Sequence, residues 1–328
     1  MPEGLNKNRT LEKITSSDIP HMDYYKLVGD FNLLLQTELS EKLAQNRDTL
    51  DSIVTLVTPG SDGRLEKGSF FTSPLEVIAI VNADIDLNLY QNTLTEVLNH
   101  ISPTKIAKII EMKGPKSSMV TAYNSRYQPG RIADSRLIYG SPEAVKNAKV
   151  KLGEEIVTLR SNDEVSQIVD LKRNARKVVR TGMNRIAGID AVHFDLKSGT
   201  VFFNPEAHQL SFKIGPLRLV QNTLLVEEVK HTRRENDANF ISTLDSNIVN
   251  RLGQLSSDRM INLSRPSVEE IAEHYAFFLR LYHRSEQVYE KNKQVALQLT
   301  LTEVEEVTKR LQALSLLLEK FKIQKQPR

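Results

Sequence analysis

The chain alternates between stretches in which apolar residues recur every three or four positions and short β-branched runs bounded by glycine and proline, which predicts an α/β (α+β) protein. From Asp23 to Gln45 the residues Leu27, Val28, Phe31, Leu34, Leu35, Leu39 and Leu43 mark one face of an amphipathic helix that packs on a sheet. Ile53, Val54, Leu56 and Val57, and after them Leu75 to Val81, have the make-up of buried strands. Asn88 to His100 predicts a helix with Leu89, Leu94, Val97 and Leu98 on one side. Lys105 to Met112 and Ser118 to Tyr123 predict strands separated by the turn Lys113-Gly114-Pro115-Lys116, and Ser141 opens a helix over Pro142 to Thr158.

Past Thr158 the pattern becomes mainly helical. Between Glu164 and Arg185 the residues Val165, Ile168, Val169, Ala175, Val178, Val179 and Met183 keep helical spacing, while Lys172, Arg173, Arg176, Lys177, Arg180 and Arg185 cover the rest. No aromatic residue stands between those charges to stack on a base, so they read as a solvated face. Val192 to Leu196 and Thr200 to Phe203 straddle Lys197-Ser198-Gly199 as a hairpin, to which Leu210 to Ile214 is expected to add. Ser267-Val268-Glu269-Glu270, after Pro266, and Thr302-Glu303-Val304-Glu305 read as capping boxes opening two final helices. In the last helix Val304, Val307, Leu311, Leu314, Leu318 and Phe321 alternate three and four. The seam is short for a coiled coil and reads as the inner face of an intramolecular bundle, leaving the oligomeric state open. The division expected is a polar leader and helix over 1–50, a small mixed-sheet domain over 51–160, and a mainly helical domain with a short hairpin over 161–328.

Composition narrows the function classes. The 44 basic and 41 acidic residues of the 328 leave a net charge of +3, too balanced to point to nucleic acid. There is no cysteine, which excludes disulfides and thiolate metal sites. The first twenty residues carry no apolar signal region and no run approaches the ~18 apolar residues of a membrane span, so the expected address is cytoplasmic, without a membrane. No Walker loop, dinucleotide fingerprint, serine elbow or His-Glu-x-x-His occurs, and His193, Asp195 and His208 lack metal-ligand spacing.

One stretch does carry chemistry: Thr58-Pro59-Gly60-Ser61-Asp62-Gly63-Arg64-Leu65-Glu66, between two predicted strands. A Gly-Ser pair at a strand end lets the backbone approach a phosphate with N–H and hydroxyl donors, so Gly60, Ser61 and Gly63 are candidate nucleotide-binding residues, with Arg64 as a cationic fork. A polyphosphate brings Mg2+, which takes oxygen ligands, and two acids at i and i+2 on a strand point to one face. The segment resembles the polymerase-beta type nucleotidyltransferase superfamily, whose Gly-Gly/Ser is followed after about a dozen residues by Asp-hydrophobic-Asp/Glu-hydrophobic. That spacing lands on Pro74-Leu75-Glu76-Val77, with Glu76 in the second acid position and Pro74 in the first.

Gly60, Ser61, Gly63, Arg64, Glu66 and Ser73 are similar to the branch containing bacterial uridylyltransferases and adenylyltransferases. So are Asp134-Ser135-Arg136-Leu137-Ile138-Tyr139-Gly140 and Phe212-Lys213-Ile214-Gly215-Pro216-Leu217-Arg218, although Pro216 and Leu219 replace a glycine and an acid of the second pattern. The resemblance implies a nucleoside triphosphate as ligand, Mg2+ as cofactor, and Glu76 as the catalytic and metal-binding carboxylate. A third acid is expected from a later strand, yet Met119 to Tyr123 offers none, and Asp84 and Asp86 lie too far along, reading as turn and helix-start acids. With two of three acids missing, the expectation is a nucleotide- or partner-binding regulatory pseudoenzyme. The alternative is an active enzyme moving an NMP from NTP-Mg2+ to a protein, small-molecule or RNA hydroxyl.

Overall fold

Helix α1 (His21–Gln45) forms where the apolar spacing predicts it, with Val28, Phe31, Leu39 and Leu43 buried along it. Strand β1 (Val54–Thr58) is buried at every position and leads into α2 (Gly60–Gly63), a single turn. Strand β2 (Leu75–Val81) is buried everywhere except at Glu76. Then follow α3 (Leu87–Ile101), β3 (Ala107–Lys113), the short pair β4 (Thr121–Tyr123) and β5 (Arg126–Gln128), α4 (Gly130–Ala133), β6 (Arg136–Tyr139) and α5 (Pro142–Thr158). The computed structural model describes residues 19–46, 54–66, 75–101, 107–119, 121–123, 126–128, 130–158, 169–170, 172–176, 179, 194–195, 200–201, 203–204, 209–210, 212–292 and 299–324.

The sheet is mixed, in the order β3-β2-β1-β6. β1 runs antiparallel to both neighbours, pairing Val57 with Ile78 on one side and Thr58 with Arg136 on the other. β2 and β3 are parallel, since α3 carries the chain back across the sheet between them. Leu39 and Leu43 of α1, Leu94 and Leu98 of α3, and Leu56, Val77, Ala79, Val81, Ile109 and Ile138 of the strands form one apolar core. The α+β character expected from the sequence is therefore present.

The strand expected from Ser118 is shorter than predicted. Glu155 of α5 accepts hydrogen bonds from the Ser118 hydroxyl (2.8 Å) and the Met119 amide (2.9 Å), which takes these residues out of a strand ladder. Asp86 does what a helix-start acid does: its Oδ1 accepts from the amides of Asn88 (2.9 Å) and Leu89 (3.2 Å). Asp84 pairs with Lys116, and Glu111 with Lys113 (2.7 Å). Ser141 Oγ accepts from the Ala144 amide (3.3 Å) at the start of α5.

Two compact units divide the described residues, one within 1–19, 26–160 and 232–251, the other within 20–25, 161–231 and 252–328. In the second unit β7 (Phe194–Asp195) and β8 (Thr200–Val201) pair as the hairpin predicted, and β9 (Phe203–Asn204) pairs with β10 (Gln209–Leu210). Strand does not continue to Ile214: Lys213–Leu217 is a π-helical turn containing Pro216. Gly215, Pro216 and Leu217 are buried in succession, which an alternating strand cannot do, and Phe212 packs on Phe278 with ring centroids 6.0 Å apart. The chain runs on into α6 (Arg218–Glu235), α7 (Phe240–Thr243), α8 (Ile248–Ser257), α9 (Arg265–Asn292) and α10 (Leu301–Lys320).

Neither predicted capping box forms at the residues expected. Ser267 already lies inside α9, where its amide donates to Ser264 Oγ (3.4 Å), and Pro266 stands in the first turn, where no amide donor is missed. The box of α10 is Thr300 with Glu303, bonded reciprocally at 3.3 and 2.8 Å, rather than one opened by Thr302. Val307, Leu311, Leu314, Leu318 and Phe321 are buried within the chain. Of the basic face expected over 164–185, Arg173 pairs with Asp170 (2.7 Å) and Arg176 lies 3.9 Å from Glu319. His193 and His208, and Lys177, Arg180 and Arg185, lie outside the described residues.

Candidate functional site

At the end of β1 the chain leaves Thr58, passes extended Pro59 and turns at Gly60, whose φ of +58° is left-handed and favours glycine. Among the described residues a Cβ at Gly60 would meet nothing within 4 Å, so the space beside this backbone is open to them. The turn is closed by amides donating to carbonyls: Gly63 to Pro59 (3.1 Å), Arg64 to Gly60 (2.9 Å) and Glu66 to Ser61 (2.8 Å). The amides of Gly60 and Ser61 come before these bonds, as the first N–H groups of any helical turn do.

What holds the turn comes from distant parts of the chain. Side-chain amides of Asn32, Gln36 and Asn247 donate to the carbonyls of Leu65 (3.4 Å), Asp62 (2.7 Å) and Arg64 (3.0 Å). Leu65 sits at φ +62°, a conformation that costs a leucine about 1–2 kcal/mol and that these bonds help to fix. Gly63 is pressed so closely against its surroundings that a Cβ would lie 2.0 Å from the Asp134 carbonyl oxygen and 2.5 Å from that of Thr58. Asp62, 2% exposed, accepts the Glu76 amide at its Oδ2 (3.1 Å) and ties the turn to the start of β2.

The guanidinium that the sequence offers to a phosphate is engaged inside the protein. Arg64 is 6% exposed; its Nε donates to Glu66 (2.8 Å) and its Nη1 to Asp134 Oδ2 (2.6 Å). The other oxygen of Asp134 accepts from Arg251 Nη2 (2.7 Å), and Arg251 Nε donates to the Asp245 carbonyl (2.6 Å). Burial pushes the Asp134 carboxyl up, but Arg251 and Arg64 outweigh it and hold it below the usual carboxylate range. Arg136, in register beside Thr58, turns its Nε toward the Gly63 carbonyl (3.4 Å).

Glu76 stands exposed at the start of β2, in register with Lys108. The residues present do not fit a two-carboxylate magnesium clamp: Glu76 is a single solvated acid, and Asp62, the acid nearest to it through the backbone, is buried and accepts an amide. Among the described residues no group of three or more His, Asp or Glu is arranged to hold a metal ion. Ser73 and Pro74 lie outside the described residues.

Sequence reasoning missed Arg251, Asn247, Asn32 and Gln36, none of which stands in a motif. It also missed Lys149, for which a signal existed. Val145, Lys149, Leu152 and Ile156 follow one another at four, three and four, so the lysine falls on the apolar face of α5 and is 7% exposed. Burial, then the nearby Arg251, pushes its ammonium down to about 8, against partial support from Asp134 and Asp245. Between that value and 10.5 the unfolded chain holds a proton that the folded one has lost, so stability rises with pH through this window. Lys149→Met is expected to raise stability by roughly 2–3 kcal/mol below pH 8, with the gain over wild type shrinking toward pH 10.5. Urea unfolding at pH 7, 8.5 and 9.5 checks this, and a gain independent of pH contradicts it.

No model of a protein family matches the chain, and a search of curated proteins gives no match either. Among the described residues no helix is long and apolar enough to cross a membrane.

Proposed function

We propose that the first unit is a diverged nucleotidyltransferase-like domain that binds a nucleoside triphosphate as a regulatory ligand and does not transfer the nucleotide. The observation that carries this reading is the contact between two of the strings on which the resemblance rests. Arg64 of the first and Asp134 of the second are joined at 2.6 Å, and Gly63 of the first packs on the Asp134 backbone. Residues that look like separate motifs thus make one device, which fixes the Gly60–Ser61 turn with its open side outward. On this reading the Gly60 and Ser61 amides and the Ser61 hydroxyl face phosphate, and Arg64 acts through the turn it braces.

The chemistry of transfer has less support. Two-metal transfer needs carboxylates that grip both ions, and losing a group of that importance removes several kcal/mol of barrier lowering, or orders of magnitude in rate. Glu76 alone does not replace them. Magnesium then belongs to the nucleotide, held mainly by phosphate oxygens and water. The cytoplasm, where nucleoside triphosphates are abundant, is the compartment this reading assigns.

Calorimetric titration with the four ribonucleoside triphosphates is expected to give a Kd of roughly 10 μM to 1 mM for at least one of them. Mg2+ alone should give no tight binding. No labelled NMP should pass from any of them to the protein itself, to RNA ends or to proteins of a matched lysate. Absence of heat with every nucleotide sinks the binding reading. Labelling that Glu76→Ala abolishes establishes the active transferase instead.

A further inference from the structure

In the second unit the first turn of α1 is fastened to α9 by rings. His21 meets Phe277 edge to face, with ring centroids 5.0 Å apart, and Tyr25 meets Tyr275 at 6.2 Å. The Tyr24 hydroxyl stands 2.8 Å from His283 Nδ1. The guanidinium of Arg310, on α10, lies 4.5 Å from the centre of the Phe277 ring, so His21 and Arg310 share one aromatic platform. Arg310 Nη1 also stands 3.3 Å from Nδ1 of His274, which is 7% exposed. These contacts fix protonation. A guanidinium only donates, so His274 Nδ1 accepts, and the neutral ring carries its proton on Nε2. Glu270 Oε1, 3.4 Å from Nε2, therefore faces the nitrogen that already holds a proton. A second proton has to go to Nδ1, where it breaks the Arg310 bond and sets two cations side by side. At His21 the Nδ1 atom is buried with no hydrogen-bond partner, so a proton there meets no acceptor. The other charges facing His21 are Arg280, Glu273 and Glu306, and the two acids are engaged with Arg310 at 3.9 and 2.9 Å.

We infer that the seat of the first turn of α1 on α9 and α10 is a pH-sensitive latch, closed while His21 and His274 are neutral and opened when they take up protons. One proton unseats His21 itself, and the other displaces Arg310 from the ring that the two share. Burial, then Arg310, lowers both histidines from their ordinary value, against support from Glu273 and Glu306 at His21 and from Glu270 at His274. The released rings bind protons at a pH where the seated ones do not. The latch is therefore at full strength above about pH 6.5 and weakens as pH falls through the lower values of the seated rings.

Amide hydrogen exchange of the full chain, followed by mass spectrometry at pH 7.5 and pH 5 and corrected for the intrinsic rate at each pH, reads the latch at the start of α1. In wild type, protection there should fall about tenfold or more between the two pH values, while α6 of the same unit keeps its protection. His21→Phe keeps a ring on Phe277 that cannot titrate, and His274→Asn keeps an acceptor for Arg310 that takes no proton. In each the fall should shrink to about threefold or less. His21→Lys, which carries a charge at both pH values, should already show at pH 7.5 the low protection of wild type at pH 5. Unchanged protection in wild type overturns the inference, whatever the variants do. So does a fall as deep in both His21→Phe and His274→Asn as in wild type, and so does a loss spread equally over α6, which is general acid unfolding. If a variant fails to fold, shown by lost protection of α6 at pH 7.5, wild type and the remaining variants decide by the same criteria.

Discussion

Asp134→Ala should destabilise the first unit by about 3–5 kcal/mol, a large part of the 5–15 kcal/mol that holds a typical domain. Both carboxylate oxygens are used, one by Arg64 at 2.6 Å and one by Arg251 at 2.7 Å, and both arginines are buried. Removing the acid leaves two buried guanidinium groups without the carboxylate they share, with only Glu66 still bonded to Arg64. Asp134→Asn should do nearly as much harm, since it keeps the shape and loses the charge. The pH dependence follows from the lowered carboxyl of the folded protein. Its contribution is complete above the ordinary aspartate value of about 3.9 and is lost as pH falls through the lower folded value, so wild type and Asp134→Asn converge only below about pH 4. Chemical denaturation at pH 3, 5 and 7 measures this, and an asparagine variant within about 1 kcal/mol of wild type at pH 7 contradicts it. A double-mutant cycle with Arg251→Met, in which the second change should hurt less once Asp134 is gone, separates the pair from the packing around it.

That network marks where the sequence stops being readable. Periodicity located α1, α3 and α5 to within two residues at each end, and the β-branched runs located β1 and β2, because those signals are local and each element buries one continuous face. The caps of α9 and α10 were misplaced for an equally local reason. Ser267 and Thr302 stand in a Ser/Thr-x-x-Glu or near-identical frame, but a serine and a threonine two or three residues earlier fit the same chemistry, and the pattern alone does not rank them. The turn at Gly60 was legible as a turn and Arg64 as a cation beside it. What Arg64 does was not, because its partner lies 70 positions away and that partner's second cation another 117. Arg251 looks like one more surface arginine of a short amphipathic helix until the fold brings Asp134 to it. Lys149 was legible in principle, by its place on the apolar stripe of α5.

Gly153→Ala should cost at least 4 kcal/mol, although alanine is the better helix former by about 1 kcal/mol. In the middle of α5 this glycine lets the helix touch the chain just ahead of α7: a Cβ would lie 1.9 Å from the Ala238 carbonyl oxygen, 2.7 Å from its carbon and 2.9 Å from its Cα. All three are backbone atoms, so no side chain can swing aside, and an ordinary contact of about 3.5 Å requires the two segments to separate by more than 1 Å. Leu152 and Ile156, both fully buried, and Phe240 and Ile241 of α7 are packed around that approach, and separation opens gaps among them that a close-packed interior does not absorb. Gly253 supplies the contrast. It is exposed within α8 and its Cβ would meet nothing within 4 Å, so Gly253→Ala should gain about 0.5–1 kcal/mol from the same change in helix propensity. Urea unfolding of the two variants side by side reads the sign of each. If Gly153→Ala proves as stable as wild type, the helix and the Ala238 carbonyl are not in contact, and α7 does not pack on α5 as described.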